Sequence, residues 1–285
     1  MITLREPAYA KVNLTLDVLA KRPDGYHDLE SIFQAVSLRD EILLTLGTGE
    51  SWDLICSDPQ IPCDRRNLVW KAAELFCQET GFDPKGLHME IRKQIPSQAG
   101  LGGGSADAAA VLRVLNRCLE KPLSLEALAQ MGAKVGSDVP FCVIGGSAFA
   151  EGRGERLSPL GTEGKLHYVL VKPSLSFSTP ELFRKIDNSS IPKRPNHEAM
   201  TKALENGDPV QVGEQLCNVF EYAVLEDYPE IGRIKELLLS HGAVGAQMTG
   251  SGSVVFAIFQ TEGQAQQAHC AIASEYPDSY CCTTV

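Results

Sequence analysis

Between Ile95 and Leu112 the chain reads IPSQAGLGGGSADAAAVL, and four of the five residues from Gly100 to Gly104 are glycine. Glycine takes positive φ and lets a ligand come close to the backbone. Successive N–H groups can therefore line a nest for an anion at the positive end of the helix that follows. Ser105 adds a hydroxyl at the helix entrance. The chemistry this arrangement suits is the holding of phosphate. Two familiar phosphate loops do not match: GxxxxGK followed by Ser or Thr is absent, and Ser105 stands where the third glycine of GxGxxG belongs. The HRD and DFG triplets of protein kinases are absent too. A glycine bend also joins a strand to a helix for reasons of geometry alone, so the loop by itself leaves that reading open.

The elements that must position this loop are legible on either side of it. Leu87, Met89 and Ile91 alternate with His88, Glu90 and Arg92, the period of a half-buried strand, and Ala108, Val111, Leu112 and Leu115 keep the helical period. Near the start, Val12, Leu14, Leu16 and Val18 alternate with Lys11, Asn13, Thr15 and Asp17, which predicts a strand carrying Lys11 and Asn13 on one face. Arg22-Pro-Asp-Gly25 is turn chemistry, and a second strand is expected over Glu41–Leu46. Asn67 and Ser124 are placed to cap helices that stop near Gly81 and Gly132. Gly136–Glu155 reads as a loop, an apolar segment and a glycine turn. A strand over His167–Lys172 follows, then a helix entered at Thr179-Pro180-Glu181, a surface loop over Ser189–Asn196, and helices from His197, Pro209 and Pro229. A strand near Gln247, the turn TGSGS, a strand over Val254–Phe259 and a helix from Glu262 complete the chain. Strands and helices alternate throughout, which predicts an α/β or α+β class.

The 285 residues suffice for two modest lobes, and we expect the boundary near residue 160. With 36 acidic against 26 basic residues the formal charge is −10, which argues against a nucleic-acid partner. It also means that an anionic ligand must be held by local amides, a few cations and bound metal. No apolar run approaches the roughly 20 residues of a membrane span. Met1–Pro7 lacks the basic start and apolar centre of an export signal, so a cytoplasmic location is expected. The nine cysteines show no CxxC spacing and the six histidines no ligand spacing, so neither a disulfide framework nor a zinc site is expected.

Three segments together, AKVNLTLDV with PDGYH, PSQAGLGGGSADAA, and MTGSGSVVF, resemble the GHMP kinase family over essentially the whole chain. The resemblance implies an α+β, two-lobed GHMP kinase fold. Its N-terminal lobe, residues 1–160, would be ribosomal protein S5 domain 2-like, and its C-terminal lobe, residues 161–285, ferredoxin-like. It implies ATP and Mg2+ as cofactors, with Pro96, Ser97, Gln98, Ala99, Gly100, Leu101, Gly102, Gly103, Gly104, Ser105 and Ala106 wrapping the ATP phosphates. Asp138 would be the base and Lys11 its cationic companion. Without the resemblance, an aspartate before Val139-Pro140 reads first as a helix cap or turn residue. The segments AYAKVNLTLDVLAKRPDGYHDLES and GSDVPFCVIGGSAFAEGRGE single out a member acting on a cytidine-diphosphate sugar alcohol. For that acceptor the resemblance implies that Tyr26 and Phe183 sandwich the base, that His27 bonds its polar edge, and that Asn13 reaches the sugar alcohol or diphosphate. Phe183 reads alternatively as core packing. Ser253 stands where many relatives have proline. No carboxylate ligand for the metal is assigned. The expected partners are the two small molecules only, with no nucleic acid and no membrane, and the expected state is a monomer or weak homodimer. Homoserine- or mevalonate-type kinases and a non-catalytic sensor of the same fold are the alternatives.

Overall fold

The structure, a computed structural model, describes residues 1–285. Its first elements are β1 (Ile2–Lys21), β2 (His27–Leu46), β3 (Trp52–Cys56), α1 (Leu68–Thr80), β4 (Leu87–Arg92) and α2 (Gly103–Arg117). Next come α3 (Leu125–Ala133), α4 (Val139–Ile144), β5 (Ser147–Gly152), β6 (Arg156–Leu160), β7 (His167–Val171), α5 (Thr179–Ile186), α6 (His197–Asn206) and α7 (Pro209–Glu214). The last are β8 (Cys217–Asn218), α8 (Glu221–Val224), α9 (Pro229–Ser240), β9 (Gly245–Met248), β10 (Val255–Phe259), α10 (Glu262–Ile272) and β11 (Ser279–Thr283). Contacts divide the chain into two compact units. One gathers Met1–Ala10, Arg39–Ser97 and Gly102–Gly145; the other gathers Lys11–Leu38, Gln98–Leu101 and Gly146–Val285. This differs from a single cut near residue 160, because β1 and β2 are each 20 residues long and contribute to both units.

In the first unit Glu41–Leu46 of β2 pairs antiparallel with β4, and β3 runs parallel to β4. The helices pack around α2, whose Ala106, Ala108, Ala109, Ala110, Val111, Leu112, Val114 and Leu115 are all buried. A helix buried on nearly every side has to be apolar all round, and its run of alanines lets neighbouring helices come close. Asn67 caps α1 by accepting from the Val69 N–H at 2.9 Å, and Gly81 closes it at φ 70°. Ser124 caps α3 through the Ala127 N–H. These caps stand where the sequence put them.

In the second unit Leu29–Gln34 of β2 pairs antiparallel with β5, which pairs with β6, while Thr15–Leu16 of β1 runs parallel to β8. A four-stranded antiparallel sheet follows in the order β11-β7-β10-β9. With α9 before β9 and α10 before β11, this is the split βαβ arrangement of the expected ferredoxin-like lobe, with α5 to α8 and β8 inserted after β7. Its core joins Val169, Val171, Val255, Ala257 and Phe259 of the strands to Ile231, Ile234 and Leu238 of α9 and Ala265, Ala268 and Ile272 of α10. Thr261 and Gln264 form a reciprocal capping box at the start of α10.

Several elements depart from the sequence reading. Strand β2 begins at His27 rather than Glu41, because Ser31–Val36 is buried on both faces and shows no period of two. The apolar segment after Asp138 is the short helix α4. Strands β3, β6 and β8 are too short or too mixed to carry a pattern. Ser178, not Thr179, is the N-cap residue of α5, and the Thr179 hydroxyl lies 2.7 Å from Ser251 Oγ instead. The polar row of β1 is not a solvated face: Lys11, Asn13, Thr15 and Asp17 are each 5 % exposed or less.

Candidate functional site

In the first unit α2 opens at Gly102, which sits at φ 69° and provides no side-chain cap. The first-turn amides of any α-helix lack partners inside the helix, so Gly103, Gly104 and Ser105 present N–H groups at the positive end of a 15-residue helix. Glycine is needed at 103 for space, since a β-carbon there would lie 3.1 Å from Ile95 Cγ2 and 3.3 Å from Lys93 Nζ. The chain that leads into α4 passes over the same turn: a β-carbon on Gly136 would stand 3.8 Å from Ser105 Oγ. Asp138, two residues on, occupies the N-cap position of α4 at φ −85° and makes no side-chain capping bond. Capping therefore does not account for it.

Beneath this turn lies a buried triad that the sequence reading missed. Lys93 Nζ donates to Asp40 Oδ2 and, at 2.9 Å, to Asp107 Oδ2. Asp40 Oδ1 also accepts from the amides of Gln94 (2.6 Å) and Ile95 (2.8 Å), the residues that enter the loop. Asp107 Oδ1 is sealed in with no hydrogen-bond partner. Burial, opposed by the Lys93 charge, pushes the Asp107 carboxyl up to about 8. The one signal in the sequence is an aspartate in the middle of an alanine helix. A carboxyl raised in the folded state binds its proton more tightly there than in the unfolded chain. Its contribution to stability is therefore greatest at low pH and falls as pH rises from about 4 through about 8. Asp107→Asn should remove that slope, which amounts to at most about 1.4 kcal/mol per pH unit. Urea unfolding at pH 5, 6, 7 and 8 checks this, and an unchanged slope counts against it.

In the second unit the loop residues Gln98–Leu101 are tied to the two other motifs. The Lys11 N–H donates to the Leu101 carbonyl at 3.0 Å, and the Val254 N–H donates to the Ala99 carbonyl at 3.3 Å. Lys11 Nζ donates to Asn13 Oδ1 at 2.7 Å and stands 5.1 Å from the centre of the Phe33 ring. Asn13 Nδ2 donates to Ser31 Oγ, and its backbone N–H to Thr249 Oγ1. The TGSGS turn is held in its own right, because Asn218 Nδ2 donates to the carbonyls of Met248 and Gly250, both at 2.8 Å. Ser253 is fully buried and donates to the Leu175 carbonyl. Asn13, expected to reach the acceptor, thus uses its amide to hold Lys11 and Ser31, because its side of β1 is buried.

At the far end of β1 and β2, Tyr26 is 56 % exposed, with the Arg153 guanidinium 5.1 Å from its ring centre. The His27 ring lies flat on Phe183, with centroids 4.6 Å apart and planes within 13°. Its Nε2 is 2.7 Å from Asp187 Oδ1. One face of Phe183 is taken by His27, and Phe220 meets Phe183 edge-on at 5.0 Å. Phe183 and Asp187 are one helical turn apart, so they offer His27 a stacking partner and a hydrogen-bond acceptor together. Asp187 was not singled out in the sequence; its spacing of four from Phe183 was the available signal.

No group of three His, Cys, Asp or Glu side chains is arranged to hold a metal ion, and no helix is long and apolar enough to cross a membrane. The open N-terminus of α2 is a place where backbone amides can hold phosphate. Residues 67–146 match the N-terminal domain of GHMP kinases and residues 200–278 their C-terminal domain. The chain belongs to the GHMP kinase family. It is 42 % identical to the 4-diphosphocytidyl-2-C-methyl-D-erythritol kinase of Caldicellulosiruptor saccharolyticus, over 92 % of this chain and 90 % of that protein. It is 41 % identical to the protein of that name from Brevibacillus brevis, over 98 % and 94 %. A crystal structure of 4-(cytidine 5'-diphospho)-2C-methyl-D-erythritol kinase superposes with a TM-score of 0.83 at 31 % identity, covering 99 % of each chain. A homoserine kinase from Cytophaga hutchinsonii shares the fold at a TM-score of 0.77 and 19 % identity, over 99 % of this chain and 94 % of that one.

Proposed function

We propose that this kinase transfers the γ-phosphoryl group of ATP to the 2-hydroxyl of 4-diphosphocytidyl-2-C-methyl-D-erythritol. The products are the 2-phosphate and ADP, a step of the methylerythritol phosphate route to isoprenoids. The observation that carries phosphoryl transfer is the open N-terminus of α2, over whose Ser105 hydroxyl passes the segment that leads to Asp138. The near-complete coverage of the relatives at about 40 % identity supports this acceptor over homoserine or mevalonate.

The residues divide the work as follows. The loop from Pro96 to Ala106 wraps the triphosphate, and the free first-turn amides of Gly103, Gly104 and Ser105 at the N-terminus of α2 donate to it. Lys11, fixed by Asn13, supplies positive charge to the phosphoryl group as negative charge shifts within it. Asp138 accepts the proton of the acceptor hydroxyl. An alcohol proton is lost readily only once phosphoryl transfer is advanced, so Asp138 acts late, when the transition state already resembles metaphosphate. Tyr26 and Phe183 sandwich the cytosine, and His27 bonds its polar edge.

Magnesium fits this donor set through the Ser105 hydroxyl together with phosphate oxygens and water, since Mg2+ keeps several waters and needs no dedicated cage of carboxylates. When bound it neutralises phosphate charge. A cytoplasmic location and a monomer or weak homodimer accompany this reading. An ADP-release assay with the cytidylylated acceptor, homoserine and mevalonate tests it, with 31P NMR on the product. Turnover only with the first is expected. Turnover only with homoserine or mevalonate, or binding without any phosphorylated product, overturns it.

A further inference from the structure

We propose that Arg113 is a positioning residue for phosphoryl transfer, which sets Asp138 against the phosphate-holding end of α2 by clamping the Cys142 carbonyl of α4. This rests on the reading of Asp138 as the base, and adds to it the group that fixes where that base stands.

Alone, α4 would place Asp138 poorly. It runs only from Val139 to Ile144, and so short a helix has little stability of its own. Its last carbonyls have no partner inside the helix. Arg113, in the third turn of α2, supplies one, because its Nη1 donates to the Cys142 carbonyl. The same guanidinium donates from Nε to Glu6 Oε1 at 2.7 Å and from Nη2 to the Pro7 carbonyl at 2.8 Å, both on β1. Glu6 is 8 % exposed, and its second oxygen accepts from Arg117 Nη1 at 2.6 Å, one turn further along α2. A rigid planar fork committed to three acceptors cannot turn to follow one of them. The Cys142 N–H in turn donates to the Asp138 carbonyl at 3.1 Å, which carries the constraint back over the single turn between them.

The segment around α4 is thereby held to α2 at two separate places. Ahead of Asp138 it passes over Ser105, where a β-carbon on Gly136 would stand 3.8 Å from the hydroxyl. Beyond Asp138, Arg113 grips Cys142 about 12 Å further along the axis of α2. From the side α3 backs onto the first turn of α4, since a β-carbon on Gly132 would lie 2.8 Å from Val139 Cγ1. One attachment to α2 would let α4 pivot; two fix its direction. All of these groups lie in the first unit. A base has to stand within hydrogen-bond reach of the proton it takes, and about 1 Å of misplacement in a positioning element is worth about 10²-fold in rate. The amides that hold ATP belong to the first turn of α2, which Arg113 does not touch.

The test is steady-state ADP release with ATP and the cytidylylated acceptor for Arg113→Met, Arg113→Lys, Asp138→Asn and the double variant of Arg113→Met with Asp138→Asn. The folded fraction of each is taken from circular dichroism. Arg113→Met should lower kcat by about 10–100-fold and leave the KM for ATP within about twofold. Arg113→Lys keeps the charge beside Glu6 without the fork, and should lose kcat in the same direction. In the Asp138→Asn background the Arg113→Met change should cost little more, because a residue that acts through the carboxylate has nothing left to place. A role confined to stability would lower the urea midpoint and leave kcat per folded molecule unchanged, which overturns the proposal. An equal, multiplicative loss in the double variant overturns it too. Should Arg113→Met fail to fold, Arg113→Lys, alone and combined with Asp138→Asn, gives the same two comparisons. Failure of the base reading is separately visible: Asp138→Asn alone would then turn over at a near-normal rate, which removes both, whereas failure of this inference alone leaves Asp138→Asn slow and the Arg113 loss independent of it.

Discussion

Asp138→Asn should slow turnover by about 10²–10⁴-fold while ATP affinity stays near that of the unaltered enzyme. The substitution keeps the size of the side chain and its capacity to accept a hydrogen bond, and removes only its ability to take a proton. Asp138 makes no capping bond to α4 and its φ of −85° is ordinary for asparagine, so folding does not depend on the carboxylate as a cap. The phosphate-holding amides belong to α2 and are untouched by the change. The loss should therefore fall on kcat and leave the KM for ATP in place, as expected for an interaction made only in the transition state. Steady-state kinetics with a coupled ADP assay, together with calorimetric titration of ATP, separates the two effects. Near-normal turnover in the variant would remove Asp138 from the mechanism.

Gly100→Ala should cost about 10²-fold in kcat/KM for ATP, through the backbone rather than through any lost side chain. Gly100 has φ +77°, and a β-carbon there would sit 2.3 Å from the Thr249 carbonyl oxygen and 3.3 Å from the Gly252 nitrogen. Those are backbone atoms of a turn already tied down by Asn218, so the loop has to give way. Its movement breaks the tie between the Leu101 carbonyl and the Lys11 N–H, and the tie between the Ala99 carbonyl and the Val254 N–H. A left-handed alanine adds roughly 1–2 kcal/mol of its own strain. A displacement of about 1 Å in a positioning element is enough for an effect of the predicted size. Gly263→Ala is the control: it lies in the first turn of α10, no atom stands within 4 Å of the added carbon, and kinetics should not change. Native kinetics in Gly100→Ala would show that the loop is not held in the way described.

Much of the local structure was legible because it is locally caused. The cap Asn67, the stop at Gly81, the glycine entry to α2 and the alternation of β4 depend on neighbours within a few residues. The resemblance carried by three motifs gave the family and its ferredoxin-like lobe. The polar row of β1 was less transparent. Period-two alternation says which residues share a face, but a polar row reads as solvated until something covers it. Here the cover comes from far along the chain: the Asn13 N–H bonds Thr249 Oγ1, 236 residues away.

The same reason separates what the sequence by itself determined from what only the tertiary structure decided. Residue type, period and spacing determined the candidate phosphate loop and most helix boundaries, and the resemblance to a family gave the candidate pair Lys11 and Asp138. The tertiary structure decided that Asn13 holds Lys11, that His27 stacks on Phe183 with its Nε2 against Asp187, and that Lys93 balances Asp40 and Asp107 beneath the loop. Propensities and caps act over one or two turns of chain. A buried polar side chain must find its partner wherever the fold brings one within about 3 Å, and no local pattern encodes that meeting.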